Sequence, residues 1–162
     1  MIRAAIVTVS DRSSRGERED ISGARLADAV RAAGGEVVAR VLVPDERVDL
    51  EKALCRLADA ERVPLILTTG GTGFARRDVT PEATRAVVER EAPGLAEHVR
   101  RASAAKTKFA ILSRGVAGIR RASLIVNLPG SPKGAVEGFE ALADVLPHAL
   151  SVLEGGEEGH PA

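Results

Sequence analysis

Glutamine, tryptophan and tyrosine are absent from this chain of 162 residues; cysteine, methionine and asparagine occur once each, and phenylalanine three times. So few aromatic rings cannot build the stacking platforms on which single-stranded nucleic acids are read. The single cysteine, Cys55, excludes an intrachain disulfide framework and a cysteine-based zinc cluster, and is expected as a reduced thiol on a helix. An excess of charge is missing too. The 23 basic residues meet 23 acidic ones, a balance that argues against a dedicated nucleic-acid protein. No apolar run approaches the ~18 residues that would span a bilayer. Ile2 to Val9 is short and runs into charged residues, unlike a signal peptide. The expected location is the cytoplasm, with neither membrane nor nucleic acid as partner.

What is present is aliphatic and charged: 27 Ala, 18 Val and 19 Arg, with 44% hydrophobic and 28% charged residues overall. That is the composition of a folded globular domain, and the length is that of one such unit. One domain is expected over residues 1–153, followed by a flexible Gly- and Glu-rich tail over 154–162. The shortage of amides and sulfur suits a hot-growing source and, equally, a GC-rich genome.

Short β-branched runs alternate with helical patterns. Strands are expected at Ala4–Val9, Val37–Val43, Pro64–Thr69, Ala110–Leu112 and Ser123–Leu128. Leu26, Val30 and Ala33 mark a helix stopped by Gly34-Gly35, and Leu50, Leu54, Leu57 and Ala58 line the next. Thr80-Pro81-Glu82 reads as an N-cap, a first-turn proline and a first-turn acid of a helix ending near Ala92-Pro93. A further helix covers Leu95 to Ala105, and Ser131-Pro132 opens a long last helix bent at Pro147. This alternation predicts an α/β fold: a three-layer αβα sandwich around a largely parallel mixed sheet.

In open α/β sheets ligands bind beyond the carboxyl ends of the strands. The loops at Ser10–Asp20, Gly70–Thr80, Ser113–Arg121 and Pro129–Gly134 carry nine basic and five acidic residues, a local excess suited to an anionic ligand. Gly70-Gly71-Thr72-Gly73 follows a strand; it is a phosphate cradle or a tight turn, and neither a Walker loop nor a dinucleotide fingerprint. Asp78 and Asp45 each serve as a turn or cap acid, or together as ligands of Mg²⁺ beside phosphates. Asn127 is the only side-chain amide in the chain, and either supports its loop or bonds a ligand. Ser131 and Lys133 open a helix where backbone N–H groups and an ammonium suit an anion; Ser131 is otherwise an ordinary cap. His98 and His148 on helices and His160 in the tail lack metal-ligand spacing, and no nucleophile–histidine arrangement stands out.

The strings VSDRSSRGEREDISG, VPDE, TTGGTGFARRDVTPEAT, AILSRGVAGIR and NLPGSPKGA, taken in order, resemble the molybdenum-cofactor biosynthesis family of MogA/MoaB type. The same domain occurs in plant Cnx proteins and animal gephyrin, and the resemblance covers about residues 3–153. It implies a trimeric α/β domain in which the terminal phosphate of molybdopterin attacks the α-phosphorus of MgATP, releasing pyrophosphate and leaving adenylyl-molybdopterin. Another domain or protein then inserts molybdate. The positions matching the family's catalytic, Mg²⁺-holding acids are Asp45 and Asp78. Those matching its pterin and phosphate pocket are Ser10, Asp11, Gly70, Gly71, Thr72, Gly73, Ser113, Asn127, Pro129, Gly130, Ser131 and Lys133. The resemblance also admits a MoaB-like scaffold trimer that binds molybdopterin without turning it over. The intact RDVTP segment favours the catalytic branch.

Overall fold

The computed structural model describes residues 1–156, so His160 and most of the expected tail lie outside the described residues. Six strands form one sheet in the order β2-β1-β3-β6-β5-β4. The strands β1 (Arg3–Val9), β2 (Glu36–Val43), β3 (Leu65–Thr69) and β6 (Ser123–Leu128) are mutually parallel. The short strands β4 (Arg90–Glu91) and β5 (Ala117–Arg120) run antiparallel at one side. The mixed, largely parallel sheet is therefore as expected.

Strand residues alternate between two apolar layers, as a period of two requires. Ala4, Ile6, Leu65, Leu67, Leu124 and Val126 pack on one face, against Leu26 and Val30 of α2 (Ile21–Ala32), Val99 of α5 (Pro93–Ala104), Phe139 of α6 (Pro132–Leu142) and Leu150 of α7 (Leu146–Leu153). Ala5, Val7, Ile66 and Ile125 face the other way, onto Leu50 and Leu54 of α3 (Arg47–Cys55), Leu57 of the π-helical turn Arg56–Ala60, and Ala83 and Val87 of α4 (Thr80–Val87). A short four-residue helix, α1 (Asp11–Ser14), follows β1 directly and is capped by Ser10. No helix among the described residues is long and apolar enough to cross a membrane.

Several local expectations are corrected. Ala110–Leu112 is not a strand: it lies in the 3₁₀ helix Lys108–Leu112, where Phe109, Ile111 and Leu112 are exposed and no neighbouring strand is available. Strand β5 lies instead inside the expected 113–121 loop. Helix α4 stops at Val87, because the chain turns out at Val88 into β4. Thr80 is no N-cap; Val79 occupies that position, and the Thr80 hydroxyl donates to Gly70 O at 2.9 Å. The last helix is not one bent rod: α6 ends at Leu142, and Pro147 sits in the first turn of α7, where its missing N–H costs nothing.

The hairpin between β5 and β6 carries Arg120 and Arg121 to the edge opposite the loops that follow the parallel strands. Arg120 makes a two-pronged contact with Asp59 at 3.0 and 2.7 Å and donates to Val87 O at 2.8 Å, tying β5 to the π-helical turn and α4. This pairing holds the Asp59 carboxyl below its usual value. A carboxylate depressed on folding contributes stability above its unfolded value of about 3.9, and the contribution is lost as pH falls through the lower folded value. The stability advantage of the parent over Asp59→Asn, measured by urea denaturation, is therefore expected to be full at pH 7 and to shrink below about pH 4. An advantage that stays constant down to pH 3 would show that the ion pair contributes nothing.

Candidate active site

All four parallel strands end at one edge of the sheet, and β1 sends the chain to β2 on one side while β3 lies on the other. A crevice opens at such a reversal of strand order. Ser10, Pro44-Asp45, Gly70 and Pro129 follow β1, β2, β3 and β6 directly, so the topology brings the loops that carry the expected site residues to this edge.

Three carboxylates define its centre. Asp11 N–H donates to Asp45 Oδ2 at 2.9 Å, and Asp45 N–H donates to Asp11 Oδ1 at 3.0 Å, a reciprocal clasp joining the ends of β1 and β2. Arg77 closes over Asp11 with Nε on Oδ2 at 2.6 Å and one terminal nitrogen on Oδ1 at 3.0 Å; that nitrogen also reaches Glu46 at 2.8 Å. The Arg77 hydrogen bond holds the Asp11 carboxyl below its ordinary value. Asp45 goes the other way: burial, with the charges of Asp11 and Asp78, raises it despite its bond to the Asp11 N–H. Asp78 caps its own tight turn, with Oδ2 accepting from Ala75 N–H at 2.9 Å and its N–H donating to Ala75 O at 3.0 Å.

The glycine loop runs between these acids. A Cβ on Gly71 would stand 3.4 Å from Asp45 Oδ1, and one on Gly73 would stand 2.9 Å from Asp78 Oδ2. Gly70 and Gly71 have φ of 101° and 69°, a left-handed backbone in which a side chain is strained. Side chains there would also strike Val9 O and the Thr80 hydroxyl respectively. The loop's carbonyls are drawn back into the protein. Thr80 binds Gly70 O through its hydroxyl and Gly71 O through its N–H; Arg114 takes Thr72 O through its N–H at 2.9 Å and Gly73 O through Nε at 2.8 Å. With the carbonyls committed, the N–H groups are the backbone polar atoms left for a ligand, which is the arrangement an anion requires.

Two cavities open at this edge, the smaller of them reaching the glycine loop at Gly70. One, of about 190 Å³, is bordered by Ser10, Arg18, Ser22, Thr69, Gly70 and Gly130. The other, of about 310 Å³, lies between α5 and the start of α6 and is lined by Lys106, Phe109, Ser113, Pro129, Ser131 and Lys133, among others. The loops after β3 and β6 touch between them: a Cβ on Gly130 would be 3.2 Å from Gly70 Cα, and the Thr69 hydroxyl donates to Pro129 O at 2.7 Å. Ser131 caps α6, accepting from Gly134 N–H at 3.1 Å, while Lys133 projects into solvent with 82% of its side chain exposed.

The expected positive excess does not survive the topology. Without Arg120 and Arg121 the edge keeps seven of the nine basic residues, and Asp45 and Glu46 join the five acids there. Arg77 and Arg114 are also committed to carboxylates. Lys106 and Lys133 likewise face a carboxylate, Glu137, at 3.3 and 3.8 Å, so what this edge offers an anion is mainly its oriented N–H groups, with Arg18 on the border of the smaller cavity. Asn127 does not open onto a cavity. Its amide is buried, donating to the Thr68 and Thr84 hydroxyls at 3.0 and 2.9 Å and accepting from Val116 N–H at 3.1 Å. Arg114, Lys106 and Phe109 do not stand out in the sequence as site residues, and Thr80 stands out there only as a helix cap, not as the tie of the glycine loop.

No group of three or more metal-ligating side chains exists among the described residues. The pair Asp45 and Asp78 nevertheless fits Mg²⁺, which is commonly held by one or two carboxylates plus substrate phosphates. The fit rests on their placement: the two carboxylates stand on either side of the glycine loop, 3.4 Å and 2.9 Å from where a Cβ on Gly71 and on Gly73 would lie.

Residues 5–148 match the family described as "Probable molybdopterin binding domain". The chain is 41% identical over 169 residues to the molybdopterin adenylyltransferase of Escherichia coli K12, covering 95% of this chain and 86% of that one. It is also 41% identical over 154 residues to the molybdenum cofactor synthesis protein cinnamon of Drosophila melanogaster, covering 94% of this chain but only 26% of that longer protein. The crystal structure of the molybdopterin biosynthesis enzyme MoaB from Thermus thermophilus superposes with a TM-score of 0.90 at 54% identity, over 96% of this chain and 98% of that one.

The buried position of Asn127 has a measurable consequence. Asn127→Ala leaves two hydroxyls and one N–H without their partner, at about 1–3 kcal/mol for each group that stays unsatisfied. Chemical denaturation is expected to show a loss of at least about 2 kcal/mol. A loss below about 0.5 kcal/mol would mean that the network is dispensable.

Proposed function

Since the chain belongs to the molybdopterin-binding domain family, we propose that it is a molybdopterin adenylyltransferase of molybdenum cofactor biosynthesis. In this reaction a terminal phosphate oxygen of molybdopterin attacks the α-phosphorus of ATP. The new P–O bond forms as the bond to pyrophosphate breaks, and the products are adenylyl-molybdopterin and pyrophosphate. The carrying observation is the placement of Asp45 and Asp78 on either side of a glycine loop whose carbonyls are tied back. The identity to the E. coli adenylyltransferase supports the same reading.

Phosphoryl-type transfer needs positioning and charge neutralisation more than a side-chain nucleophile. The N–H groups of Gly71, Thr72 and Gly73 would hold phosphate oxygens, with Ser10, Gly70 and Gly130 bordering the adjoining cavity and Asp11 acting through its clasp with Asp45. Ser113, Pro129, Ser131 and Lys133 would border the second ligand in the larger cavity, where Lys133 supplies positive charge. Asn127 would act from beneath, fixing β6 against β3 and α4. Asp45 and Asp78 would hold Mg²⁺, which supplies neutralisation of the charge that grows on the leaving pyrophosphate. Asp11 keeps Asp45 in place through the reciprocal clasp, and Arg77 orients Asp11 and holds its carboxyl below the ordinary value.

A homotrimer, a cytoplasmic location beside the ATP supply, and transfer of the product to a molybdate-inserting protein complete the proposal. They rest on the pattern of the resembling family. A second reading, a MoaB-like binding scaffold without turnover, rests on the family resemblance alone, since the Thermus MoaB relative is itself described as a biosynthesis enzyme. The retained aspartate pair weighs against it.

Purified protein given molybdopterin anaerobically with MgATP is expected to release pyrophosphate and form the adenylylated pterin. Asp78→Asn should reduce turnover at least about 100-fold while molybdopterin affinity changes little, as loss of an interaction made in the transition state requires. Turnover at the parental rate in that variant would remove Asp78 from the mechanism. A parent that binds the pterin but releases no pyrophosphate would establish the scaffold reading.

A further inference from the structure

Arg114 lies outside the family-matched pocket residues, yet its contacts converge on the loop that carries Asp78. Its N–H holds Thr72 O at 2.9 Å, its Nε holds Gly73 O at 2.8 Å, and one terminal nitrogen holds Asp78 O at 2.7 Å. The other terminal nitrogen binds Glu82, on the first turn of α4. One planar guanidinium thus reaches both ends of the segment 73–78 and braces it against the helix that follows.

The remaining ties of that segment are weaker in what they fix. Thr80 secures only Gly70 and Gly71. The contacts between Ala75 and Asp78 are internal to the turn, so they shape it without setting where it stands relative to Asp45. Phe74, at the tip, is 72% exposed and contributes little anchoring. Arg77 reaches across to Asp11 and Glu46, but with 55% of its side chain in solvent. Glu82 completes the brace: Oε1 accepts from Arg114, while Oε2 is buried without a hydrogen-bond partner among the described residues, so Arg114 is the side-chain hydrogen-bond partner of this carboxylate.

We propose that Arg114 is a positioning residue for adenylyl transfer, acting through the backbone of Gly73 and Asp78 to set the spacing between Asp78, the glycine-loop N–H groups and Asp45. The inference rests on the adenylyltransferase reading. The chemistry asks for guanidinium rather than ammonium. Three acceptors in fixed directions match its rigid fork, whereas a lysine offers a point charge on a flexible stem. Misplacement of a reacting group by about 1 Å costs on the order of 100-fold in rate, so the effect should appear in kcat.

The test compares Arg114→Gln, Arg114→Lys, Glu82→Gln and Asp78→Asn with the parent, each checked for folding by thermal melting. The readouts are kcat and KM with molybdopterin and MgATP, equilibrium binding of molybdopterin alone, and backbone amide hydrogen exchange without substrates. Arg114→Gln is expected to lower kcat by about 10–100-fold with molybdopterin affinity within about twofold. Its amides over residues 71–78 should exchange faster, with the sheet unchanged. Arg114→Lys should recover part of the rate, and Glu82→Gln, which removes the bracing charge without emptying space, should show a smaller loss of the same kind. Parental kcat and parental exchange in Arg114→Gln, with Asp78→Asn inactive, would overturn the positioning role and leave the adenylyltransferase reading intact. A loss of molybdopterin binding that matches the loss of rate would also overturn it, by making Arg114 a binding residue. Should Arg114→Gln fail to fold, Glu82→Gln decides by the same kcat and exchange criteria. If the parent releases no pyrophosphate, or Asp78→Asn keeps the parental rate, the adenylyltransferase reading is what fails, and the exchange data alone decide whether Arg114 orders the loop.

Discussion

Parallel strands that stop along one edge leave a row of backbone carbonyls and N–H groups with no continuing ladder, and each must find a partner or face a ligand. In this protein the carbonyls are satisfied from within. Thr80 and Arg114 secure those of the glycine loop, the Ser22 hydroxyl secures Gly130 O at 2.7 Å, and Thr69 secures Pro129 O. The division of labour sets the character of the site. Acceptors turn inward, donors are left outward, and the carboxylates of Asp45 and Asp78 stand where the donors alone would leave the edge too positive for a cation. Anion and cation sites can thus adjoin without a surplus of charged side chains.

The same economy appears in the electrostatics. A chain of zero net charge does not need a basic patch to hold phosphates if its arginines are used as fixed struts. Arg77, Arg114 and Arg120 each join elements distant in sequence: Arg77 to Asp11 and Glu46, Arg114 to Glu82, and Arg120 to Asp59. Exposed ion pairs of this kind contribute little stability individually. Their value is directional, since a guanidinium fork fixes two partners at once. Arg77 and Arg114 in this way fix the relative position of loops that the core does not reach, while Arg120 ties core-packed elements together at the opposite edge.

Much of this is legible in the sequence where period and punctuation agree. The parallel strands, the alternation of faces and the gathering of Asp45, Gly70–Gly73 and Pro129 at one edge follow from short β-branched runs separated by helical patterns. The strand β5 does not announce itself, because its four residues include a glycine and its hairpin turns on Arg121 at φ 51° rather than on the Asn-Gly or Asp-Gly that usually marks one. Ala110–Leu112 misleads in the opposite sense: three apolar residues look like a strand, but nothing covers them. Thr80 reads as a cap from its place before proline, whereas its hydroxyl is claimed by Gly70 O, a partner ten residues away along the chain. Asn127 is rightly conspicuous and its setting is not readable, since whether an amide meets a ligand or two threonines depends on which face of β6 it occupies and what lies opposite.

That buried amide also bears on how the protein ages. Asparagine and glutamine side chains are the ones lost first to slow hydrolysis in hot water, and this chain offers a single such group. It is enclosed between Thr68, Thr84 and Val116, with 3% of the residue exposed, so water has little access to it and the backbone around it is held by a strand. Conversion to a carboxylate there would bury a charge in place of a donor that two hydroxyls now accept. The molecule's chemical lifetime is therefore coupled to its folded state: while β6 stays paired the one vulnerable amide is sealed, and once the sheet opens, damage at that position works against its closing again.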